Sequence, residues 1–296
     1  MVRLTGASQP VNTRERHLRR IPTVIDCHVH LWDPASGFPW IRPGSVHHRA
    51  FRIDDLGASR PDAAVTGAIL VEASRGDAGE TLALRAWRMS RPDLVAGYVG
   101  NLHVHGDGGP RRFRALLRDL GDSRPNGMRL GGASWADIPE AAHVLVPELA
   151  AAGLVLELNL GSGALRAAAE AATRHPGLTV VVDHLGNPPN LRTDPGEWYR
   201  DLERAASVPN VVVKISGLLT QQHGVPRERT VELVRHVVGA LGPGRCLIGS
   251  DWPICLPRGS RADSLELSCR GLDRLSDDER ERALHTNAVR VYGLRG

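Results

Sequence analysis

Two histidines, His28 and His30, stand two residues apart inside the apolar run Val24–Leu31. Side chains two apart on a β-strand point to the same face, so this spacing places both imidazoles side by side. Such a pair suits the binding of a divalent metal ion or the polarisation of a substrate oxygen. Taken alone, the pattern is equally typical of two structural histidines that hydrogen-bond each other.

A carboxylate, Asp251, ends a second apolar run, Cys246–Asp251, and is followed by Trp252 and Pro253. At the end of a strand it can ligate a metal ion or take a proton from water. The alternative is an aspartate that only caps the following loop. A third run, Val180–Val182, leads into Asp183 and His184.

The Asp183–His184 pair is costly to bury without a purpose, because ionisable groups lose their hydration inside a protein. His184 is the stronger site candidate of the two. Asp183 is predicted to orient a neighbouring group or to cap the turn.

Two cations, Lys214 and Arg129, also lie at the ends of apolar runs. We expect Lys214 to stabilise a developing oxyanion, and Arg129 to hold a carboxylate or carbonyl oxygen. A lysine whose stem covers a sheet edge and an arginine in a structural salt bridge are the alternatives.

Further side chains are candidates for substrate contact. Glu157 and Asn159 share one face of a predicted strand, so both can reach the same site. Three tryptophans near the predicted mouth, Trp32, Trp40 and Trp252, can pack against a sugar face, although tryptophan is as often part of a loop core.

The elements that position these residues are eight apolar, β-branched runs separated by helical patterns. Runs that are apolar throughout predict strands buried on both faces, and strict alternation with helices predicts parallel strands joined by right-handed crossovers. Eight such units in 296 residues predict a single-domain (β/α)8 TIM barrel. The predicted strands are Val24–Leu31, Val65–Ala73, Leu94–Asn101, Asn126–Leu130, Leu154–Leu160, Leu178–Leu185, Asn210–Ser216 and Cys246–Asp251.

Helical spacing of apolar residues fills the intervals between these runs. Asp77, three residues before Glu80, predicts a capping box, and Gly153 predicts a helix end. The stretch Asp33–Arg60 reads as a long loop at the mouth of the barrel. The predicted helices are Gly79–Ser90, Gly109–Leu120, Ile138–Ala151, Gly163–His175, Glu197–Ala206, Arg227–Leu241 and Ser276–Val291.

Composition narrows the classes of partner. The formal net charge of +4 is concentrated in the first 20 residues, which predicts a disordered basic arm over residues 1–22 and a barrel over 23–296. The balanced charge of the remainder argues against nucleic-acid binding. No apolar run reaches the roughly 18 residues of a membrane span, and no secretory signal is evident.

Four irregularly spaced cysteines, Cys27, Cys246, Cys255 and Cys269, are typical of reduced thiols, so we expect a cytoplasmic protein. We expect a small-molecule substrate and a monomer or homodimer.

Four of these motifs together resemble the sugar-lactonase branch of the amidohydrolase superfamily. They are HVHLWDP, VVDHLGNP, NVVVKISGLL and GSDWPIC, and the resemblance runs from Val24 to Gly293. The branch contains L-fuconolactonase, L-rhamnonolactonase and 2-pyrone-4,6-dicarboxylate lactonase. The resemblance implies a barrel that opens lactone rings with water.

Residue by residue, the resemblance assigns the first-strand histidines to His28 and His30, the sixth-strand histidine to His184 and the eighth-strand aspartate to Asp251. It also assigns a fourth-strand arginine to Arg129 and the lysine of a KxSG segment to Lys214. Many metal-dependent amidohydrolases carry a lysine on strand four or a histidine on strand five, and here Arg129 and Leu156–Asn159 stand there instead.

The resemblance therefore argues against two metal ions. It allows one divalent ion, zinc by preference, on His28, His30 and Asp251, with Glu157 as a further candidate ligand, and it also allows a metal-free site.

We interpret the chain as a hydrolase that opens a lactone, by preference a neutral sugar-acid lactone of the L-fuconolactone kind, with Asp251 as general base. A dicarboxylate would require several arginines at the mouth, and only Arg129 is placed there. The alternatives are a zinc-dependent decarboxylase of an aromatic or muconic acid, a barrel that binds a small molecule without turnover, and an amide or cyclic-imide hydrolase.

Overall fold

A computed structural model of the protein describes residues 23–61 and 64–294. The predicted basic arm, residues 1–22, lies outside the described residues. Eight strands pair in parallel, each with the next along the chain, which confirms the predicted (β/α)8 barrel. The strands are β1 (Val24–Val29), β2 (Val65–Val71), β3 (Val95–Asn101), β4 (Gly127–Gly132), β5 (Val155–Leu160), β6 (Val180–Val182), β7 (Val211–Ile215) and β8 (Cys246–Ile248).

Helices fill the connections between the strands and surround the sheet. They are α1 (Ile53–Ala58), α2 (Ala78–Ser90), α3 (Gly109–Leu120), α4 (Glu140–His143), α5 (Val146–Ala152), α6 (Ala164–Arg174), α7 (Gly196–Ala206), α8 (Leu218–Gln221), α9 (Arg227–Leu241), α10 (Arg261–Arg270), α11 (Asp277–Glu281) and α12 (Asn287–Tyr292). Within the described ranges, no helix is long and apolar enough to cross a membrane.

The core has two layers because strand side chains alternate between faces. Leu156 and Leu158 of β5 pack outward with the surrounding helices, in one cluster with Leu165 of α6. Val155, on the opposite face of the same strand, packs with the interior residues, in a cluster that includes Tyr292 of α12. This interior cluster closes the barrel below the polar residues described next.

Two expected helices are interrupted. The predicted helix Ile138–Ala151 is two short helices, α4 and α5, and Pro147 lies in the first turn of α5. Proline has no N–H to continue an earlier helix, so the chain restarts there. The predicted helix Ser276–Val291 is α11 and α12, joined by a π-helical turn over Arg282–Thr286.

Other local expectations have mixed outcomes. Gly153 ends α5 with a φ of 66°, as predicted. Asp77 caps α2 by accepting from Gly79 N, but the capping box is wrong, because the Glu80 carboxylate instead accepts from Ala73 N and Arg75 N. Three helices were not predicted, α1, α8 and α10, and α1 lies inside the expected long loop.

Candidate active site

Polar side chains collect where the strands end, at one mouth of the barrel. The parallel order of the strands brings all their carboxyl ends to this side. His28, Arg129, Glu157 and Lys214 lie on the strands themselves. Glu72, Asp183, His184 and Asp251 lie within three residues after a strand end. The motifs predicted from separate parts of the sequence therefore meet in one place.

His28, His30 and Asp251 form one cluster. The Nε2 atoms of His28 and His30 are 3.1 Å apart, and Asp251 Oδ1 lies 3.5 Å from His30 Nε2 and 3.8 Å from His28 Nε2. His30 Nδ1 lies 2.9 Å from the carbonyl oxygen of Val71 on β2. The two histidines thus share the face that their spacing predicted.

Backbone hydrogen bonds hold this cluster at the junction between β1 and the segment after β8. Asp251 N donates to His28 O at 2.9 Å, and His30 N donates to Trp252 O at 2.8 Å. Asp251 has a φ of 59°, in the left-handed region that aspartate tolerates better than most residues. The junction that closes the barrel therefore also positions the carboxylate.

A buried aspartate, Asp26 of β1, anchors the same junction from below. Its carboxylate accepts from Ser250 N at 2.8 Å and from Ser250 Oγ at 2.6 Å. Arg261 of α10 donates from Nε to the same carboxylate at 2.8 Å. The helix that the sequence pattern did not reveal therefore neutralises a buried charge under the site.

His184 approaches from the opposite side of the mouth. It follows β6 with a φ of 51°, and its Nδ1 lies 2.9 Å from Ser216 Oγ. Gly217, with a φ of 68°, packs against the ring, and a Cβ atom there would lie 2.8 Å from His184 Nδ1. The ligand atoms of His28, His184 and Asp251 all lie within 4.8 Å of one another.

This donor set fits a divalent metal ion. Imidazole nitrogen and carboxylate oxygen are the ligands that zinc accepts, and the three groups are buried and convergent. The structure adds His184 to the ligands expected from the sequence, which were His28, His30 and Asp251.

Burial sets the protonation of these groups. It lowers the pKa of His28 well below its ordinary value and also lowers the pKa of His184, so both rings are neutral at pH 7. Burial alone would raise the pKa of Asp251, but His184, His30 and His28 outweigh it and hold the pKa below its usual value. Asp251 is therefore an ionised acceptor.

Lys214 is fully buried beneath His28. Its Nζ donates to Glu157 Oε2 at 2.7 Å, forms an ion pair with Asp183 Oδ1 at 3.2 Å and lies 3.2 Å from His28 Nδ1. Burial opposes the charge, but Asp183 and Glu157 raise the pKa of Lys214 above its usual value. The ammonium group faces His28 and the two carboxylates, and Lys214 is not among the residues that line the cavity described below.

The sequence carries a further signal for Lys214 that the sequence analysis did not use. Of the 37 lysines and arginines, Lys214 is the only lysine. A chain that uses arginine at every other cationic position keeps a compact ammonium group at this one.

Arg129 is held by two carboxylates. Its Nε donates to Glu72 Oε1 at 2.6 Å, its Nη2 to Glu72 O at 2.6 Å and its Nη1 to Asp183 Oδ2 at 3.4 Å. Burial would raise the pKa of Glu72, but Arg129 lowers it below its usual value. Glu72 was not predicted, although an acidic residue directly after an apolar run is the same signal that identified Asp251.

A cavity of about 410 Å³ opens above the cluster. Of the predicted residues, His30, Trp40, Arg129, Asn159, His184 and Asp251 line it. The cavity walls also include Thr220, Gln221, Asn187 and Ile254, which the sequence analysis did not single out. A second cavity of about 840 Å³ adjoins it and shares Ser74, Arg129, Asn159 and Asn187.

The other predicted residues lie behind the cavity wall. Trp32 is fully buried and donates from Nε1 to His47 O, and Trp252 packs edge-on against Phe51. Glu157 is fully buried against Lys214 and accepts from the Tyr292 hydroxyl at 2.5 Å.

Trp40 alone of the three tryptophans reaches the cavity, and its Nε1 donates to Ala73 O at 2.6 Å. The long loop after β1 therefore covers part of the mouth, as expected.

Three amides form a chain along one wall. Asn187 donates from Nδ2 to Asn159 Oδ1 at 3.0 Å, and Gln221 donates from Nε2 to Asn187 Oδ1. Gln221 Oε1 is buried and has no hydrogen-bond partner within the described ranges. This wall therefore presents polar atoms of neutral side chains.

Comparison with known proteins finds the family that the sequence motifs resemble. The amidohydrolase family model matches residues 25–294. An L-fucono-1,5-lactonase of Burkholderia ambifaria is 29% identical over 282 residues, which cover 91% of this chain and 95% of that protein. An L-fucono-1,5-lactonase of Burkholderia multivorans is also 29% identical, over 91% of this chain and 96% of that protein.

Solved structures share the fold. A crystal structure of an amidohydrolase from Burkholderia multivorans with bound zinc is 27% identical, with a TM-score of 0.81 over 92% of this chain and all of that one. A putative 2-pyrone-4,6-dicarboxylic acid hydrolase from Pseudomonas putida, 24% identical with a TM-score of 0.71 over 92% of this chain and 98% of that one, supports the fold alone. With a family match over nearly all of the described barrel, the chain belongs to the amidohydrolase family.

Proposed function

We propose that the protein hydrolyses a lactone, and that its substrate is a neutral sugar-acid lactone of the L-fuconolactone kind. The observation that carries the proposal is the ionised Asp251 carboxylate at the floor of the cavity, flanked by His30 and His184. Two relatives named L-fucono-1,5-lactonase, similar over nearly their whole length, support the reaction class.

The charge of the cavity supports a neutral substrate. Among the residues that line the cavity, Arg129 is the one arginine and Asp251 is the one carboxylate. Arg129 is already neutralised by Glu72 and Asp183, so little positive charge is left for a dicarboxylate. Amide groups of Asn159 and Asn187 suit hydroxyl groups instead, because they can both donate and accept.

Asp251 serves as the general base in the proposed reaction. It takes a proton from a water molecule as the water oxygen bonds to the lactone carbonyl carbon. When the ring C–O bond breaks, the same proton passes to the ring oxygen, which becomes the hydroxyl of the product acid. The product carboxylic acid then ionises in solution.

The negative charge that develops on the carbonyl oxygen needs donors. Three of the five N–H groups of Arg129 are taken by Glu72 and Asp183, which leaves two for a substrate in the cavity that Arg129 lines. When no metal ion is bound, His184 can donate from Nε2 if Ser216 Oγ donates to its Nδ1. Both groups are proposed to stabilise the oxyanion.

A divalent metal ion, zinc by preference, would be held by His28, His30, His184 and Asp251. It would supply Lewis acidity toward the carbonyl oxygen. Glu157 is not proposed as a ligand, because Lys214 and Tyr292 occupy its carboxylate oxygens.

The tryptophans behind the wall are proposed to support the loop over the mouth. Trp32 packs edge-on against Trp40, which reaches the cavity, with ring centres 5.1 Å apart. Trp40 is proposed to pack against the apolar face of the sugar. The four cysteines are free thiols, which is consistent with the proposed cytoplasmic location.

A panel of aldonolactones, including L-fucono-1,5-lactone, tests the proposal when hydrolysis is followed by acid release with a pH indicator. We expect turnover of at least one neutral lactone and none of 2-pyrone-4,6-dicarboxylate. Carbon dioxide release from an aromatic or muconic acid, with no lactone opened, would favour a decarboxylase.

The Asp251→Asn variant tests the general base. Asparagine also tolerates the left-handed backbone at this position, so the fold should be kept. We expect kcat to fall by about 10²–10⁴-fold. Asp263→Asn, at an exposed helix N-terminus on α10, is the control and should retain kcat.

A further inference from the structure

The mouth of the barrel has two halves, and the proposed reaction needs only one of them. The first cavity, of about 410 Å³, holds His30, His184 and Asp251, which follow β1, β6 and β8. A pocket of about 300 Å³ can already enclose a ligand larger than a monosaccharide lactone. The second cavity, of about 840 Å³, lies mainly at the ends of β2, β3, β4 and β5 and contains none of these three residues. The hydrolysis of a single sugar ring therefore does not account for it.

The two cavities meet at four side chains that line both of them, Ser74, Arg129, Asn159 and Asn187. Ser74 has a φ of 58°, and its backbone N–H donates to the Glu72 carboxylate at 2.7 Å. A residue other than glycine in the left-handed region is uncommon, and such strained residues cluster at sites that clamp ligands. A ligand in the first cavity can contact this border and continue into the second cavity.

Gly131 lines the second cavity, and the fold does not require a glycine there. It lies on β4 two residues after Arg129, so both residues face the mouth of the barrel. Its φ lies outside the left-handed region, and an added Cβ would lie 3.6 Å from Asn159 O, with no other atom beyond its chain neighbours within 4 Å. On the same strand, a Cβ at Gly127 would lie 2.3 Å from Val155 Cγ2, so packing requires that glycine. Glycine inside a strand costs stability and often marks a place where a ligand approaches closely.

Three side chains of this region keep polar groups that no described residue uses. They are the Ser74 hydroxyl, Asn159 Nδ2 and the Asp107 carboxylate. A hydroxyl can donate or accept, an amide nitrogen donates and a carboxylate accepts, and this mixture matches the hydroxyl groups of a sugar. Arg129 is neutralised by its ion pair with Glu72, so the Asp107 charge disfavours an acidic ligand. The second cavity therefore suits a neutral sugar unit.

We propose that the second cavity binds a further neutral sugar unit that is O-linked to the lactone ring, so that the preferred substrate is the lactone of a disaccharide or oligosaccharide acid. This inference rests on the lactone hydrolysis proposed for the protein and leaves its chemistry unchanged. Water opens the ester bond of the lactone ring, and the glycosidic bond stays intact. Ser74 and Asn159 would contact the ligand at the border, whereas Asp107 and Gly131 line the second cavity alone.

Disaccharide lactones test the proposal against their monosaccharide counterpart. Laminaribiono-, cellobiono- and gentiobiono-1,5-lactone carry one glucosyl unit at O3, O4 and O6 of D-glucono-1,5-lactone, respectively. We expect at least one of them to exceed the kcat/KM of D-glucono-1,5-lactone by about tenfold, the effect of one or two added hydrogen bonds. If monosaccharide lactones, L-fucono-1,5-lactone included, are opened and none of the three is opened faster than D-glucono-1,5-lactone, the proposal is overturned and the lactonase function stands. If no lactone is opened, both are overturned.

Gly131→Leu tests the cavity itself. The added side chain would project into the second cavity, and Gly131 does not line the first. We expect the kcat/KM of the preferred disaccharide lactone to fall about tenfold, while that of the best monosaccharide lactone should stay within about twofold. An equal loss on both lactones, or no loss on the disaccharide lactone, overturns the proposal.

Gly239→Leu is the matched control. This glycine is exposed on α9, has no atom within 4 Å of an added Cβ, and lines neither cavity. It should keep the wild-type kcat/KM on every lactone. Thermal unfolding checks both variants, and Gly131→Leu should be at least as stable as wild type because a strand glycine is replaced. A loss of disaccharide preference in Gly239→Leu as large as that in Gly131→Leu would contradict a specific role of the second cavity.

Asp107→Ala covers the case in which Gly131→Leu does not fold. Asp107 is exposed and its carboxylate has no partner in the described part of the chain, so its removal should not affect folding. We expect the lost acceptor to lower the kcat/KM of the preferred disaccharide lactone about 2–10-fold, with that of the best monosaccharide lactone unchanged. An unchanged preference for the disaccharide lactone overturns the proposal.

Discussion

The backbone N–H of Asp251 donates a hydrogen bond of 2.9 Å to the carbonyl oxygen of His28. These residues come from opposite ends of the chain, yet the bond lies at the junction where the barrel closes. Asp251, the proposed base, and the first histidine are thus fixed to each other by a backbone hydrogen bond rather than by flexible side-chain contacts alone. Small shifts at this mouth should therefore be costly for activity, because misplacing a reacting group by about 1 Å can cost about 10²-fold.

Gly217→Ala tests how closely His184 is held. The new Cβ would lie 2.8 Å from His184 Nδ1 and displace the ring, so we expect kcat/KM for the lactone to fall at least about tenfold. The control is Gly242→Ala, which has a similar positive φ but no atom within 4 Å of the added Cβ. It should lose some thermal stability and keep kcat/KM. Equal activity losses in both variants would contradict a specific contact with His184.

The fold was largely predictable because it depends on local patterns. Continuous apolar runs mark the strands, and their order along the chain brings His28 and Asp251 together once the barrel closes. Pro147 is a helix-breaking residue that the sequence shows directly. The break was nevertheless not predicted, because the helical spacing of apolar residues continues on both sides of it.

The site was less predictable because partners are set by three-dimensional distance. Glu72 and Arg129 are 57 residues apart, and only the structure shows that they neutralise each other. Periodicity placed Lys214 on a strand but could not show whether its ammonium group faces substrate or His28. Gln221 lies on the short helix α8, which carries no recognisable motif.

The pH dependence of kcat/KM follows from the depressed histidine pKa values. Burial lowers the pKa of both His28 and His184 below 6.5, so both rings are neutral until the pH falls below that value. Asp251 remains ionised over the same range, because its pKa is also lowered. We expect kcat/KM to be flat from about pH 6.5 to 7.5 and to fall only at lower pH.

Initial rates corrected for spontaneous lactone hydrolysis check this expectation. The midpoint temperature of thermal unfolding should also decrease as the pH falls below about 6.5. Groups whose pKa is lowered in the folded state lose their contribution to stability as the pH falls. An acidic limb of kcat/KM centred at or above pH 6.5 would contradict the neutral-histidine site.

Arg129→Met tests the buried ion pair with Glu72. Both side chains are at least 96% buried, so the variant leaves Glu72 without its cation, at a cost of about 3–5 kcal/mol in the free energy of unfolding. Adding Glu72→Gln to the same protein removes the unpaired charge and should restore part of that loss. Arg91→Met, which breaks an exposed pair with Asp93, should cost about 1 kcal/mol or less.

Urea unfolding of the four proteins, wild type included, measures these differences. A double variant as unstable as Arg129→Met alone would show that the loss comes from packing of the arginine stem and not from charge.

Gln221→Leu tests whether the amide wall recognises sugar hydroxyls. The substitution removes the buried, unpartnered Oε1 and the donor to Asn187, at a cost of about 0.5–1.5 kcal/mol for each lost hydrogen bond. We expect KM for a polyhydroxy lactone to rise about 2–10-fold, with kcat within about twofold, because Gln221 is proposed to contact the sugar hydroxyls and not the reacting carbonyl group. δ-Valerolactone, which has no hydroxyl groups, is the matched substrate control, and its kcat/KM should not change. Equal losses on both lactones would mean that Gln221 supports the wall without contacting the sugar.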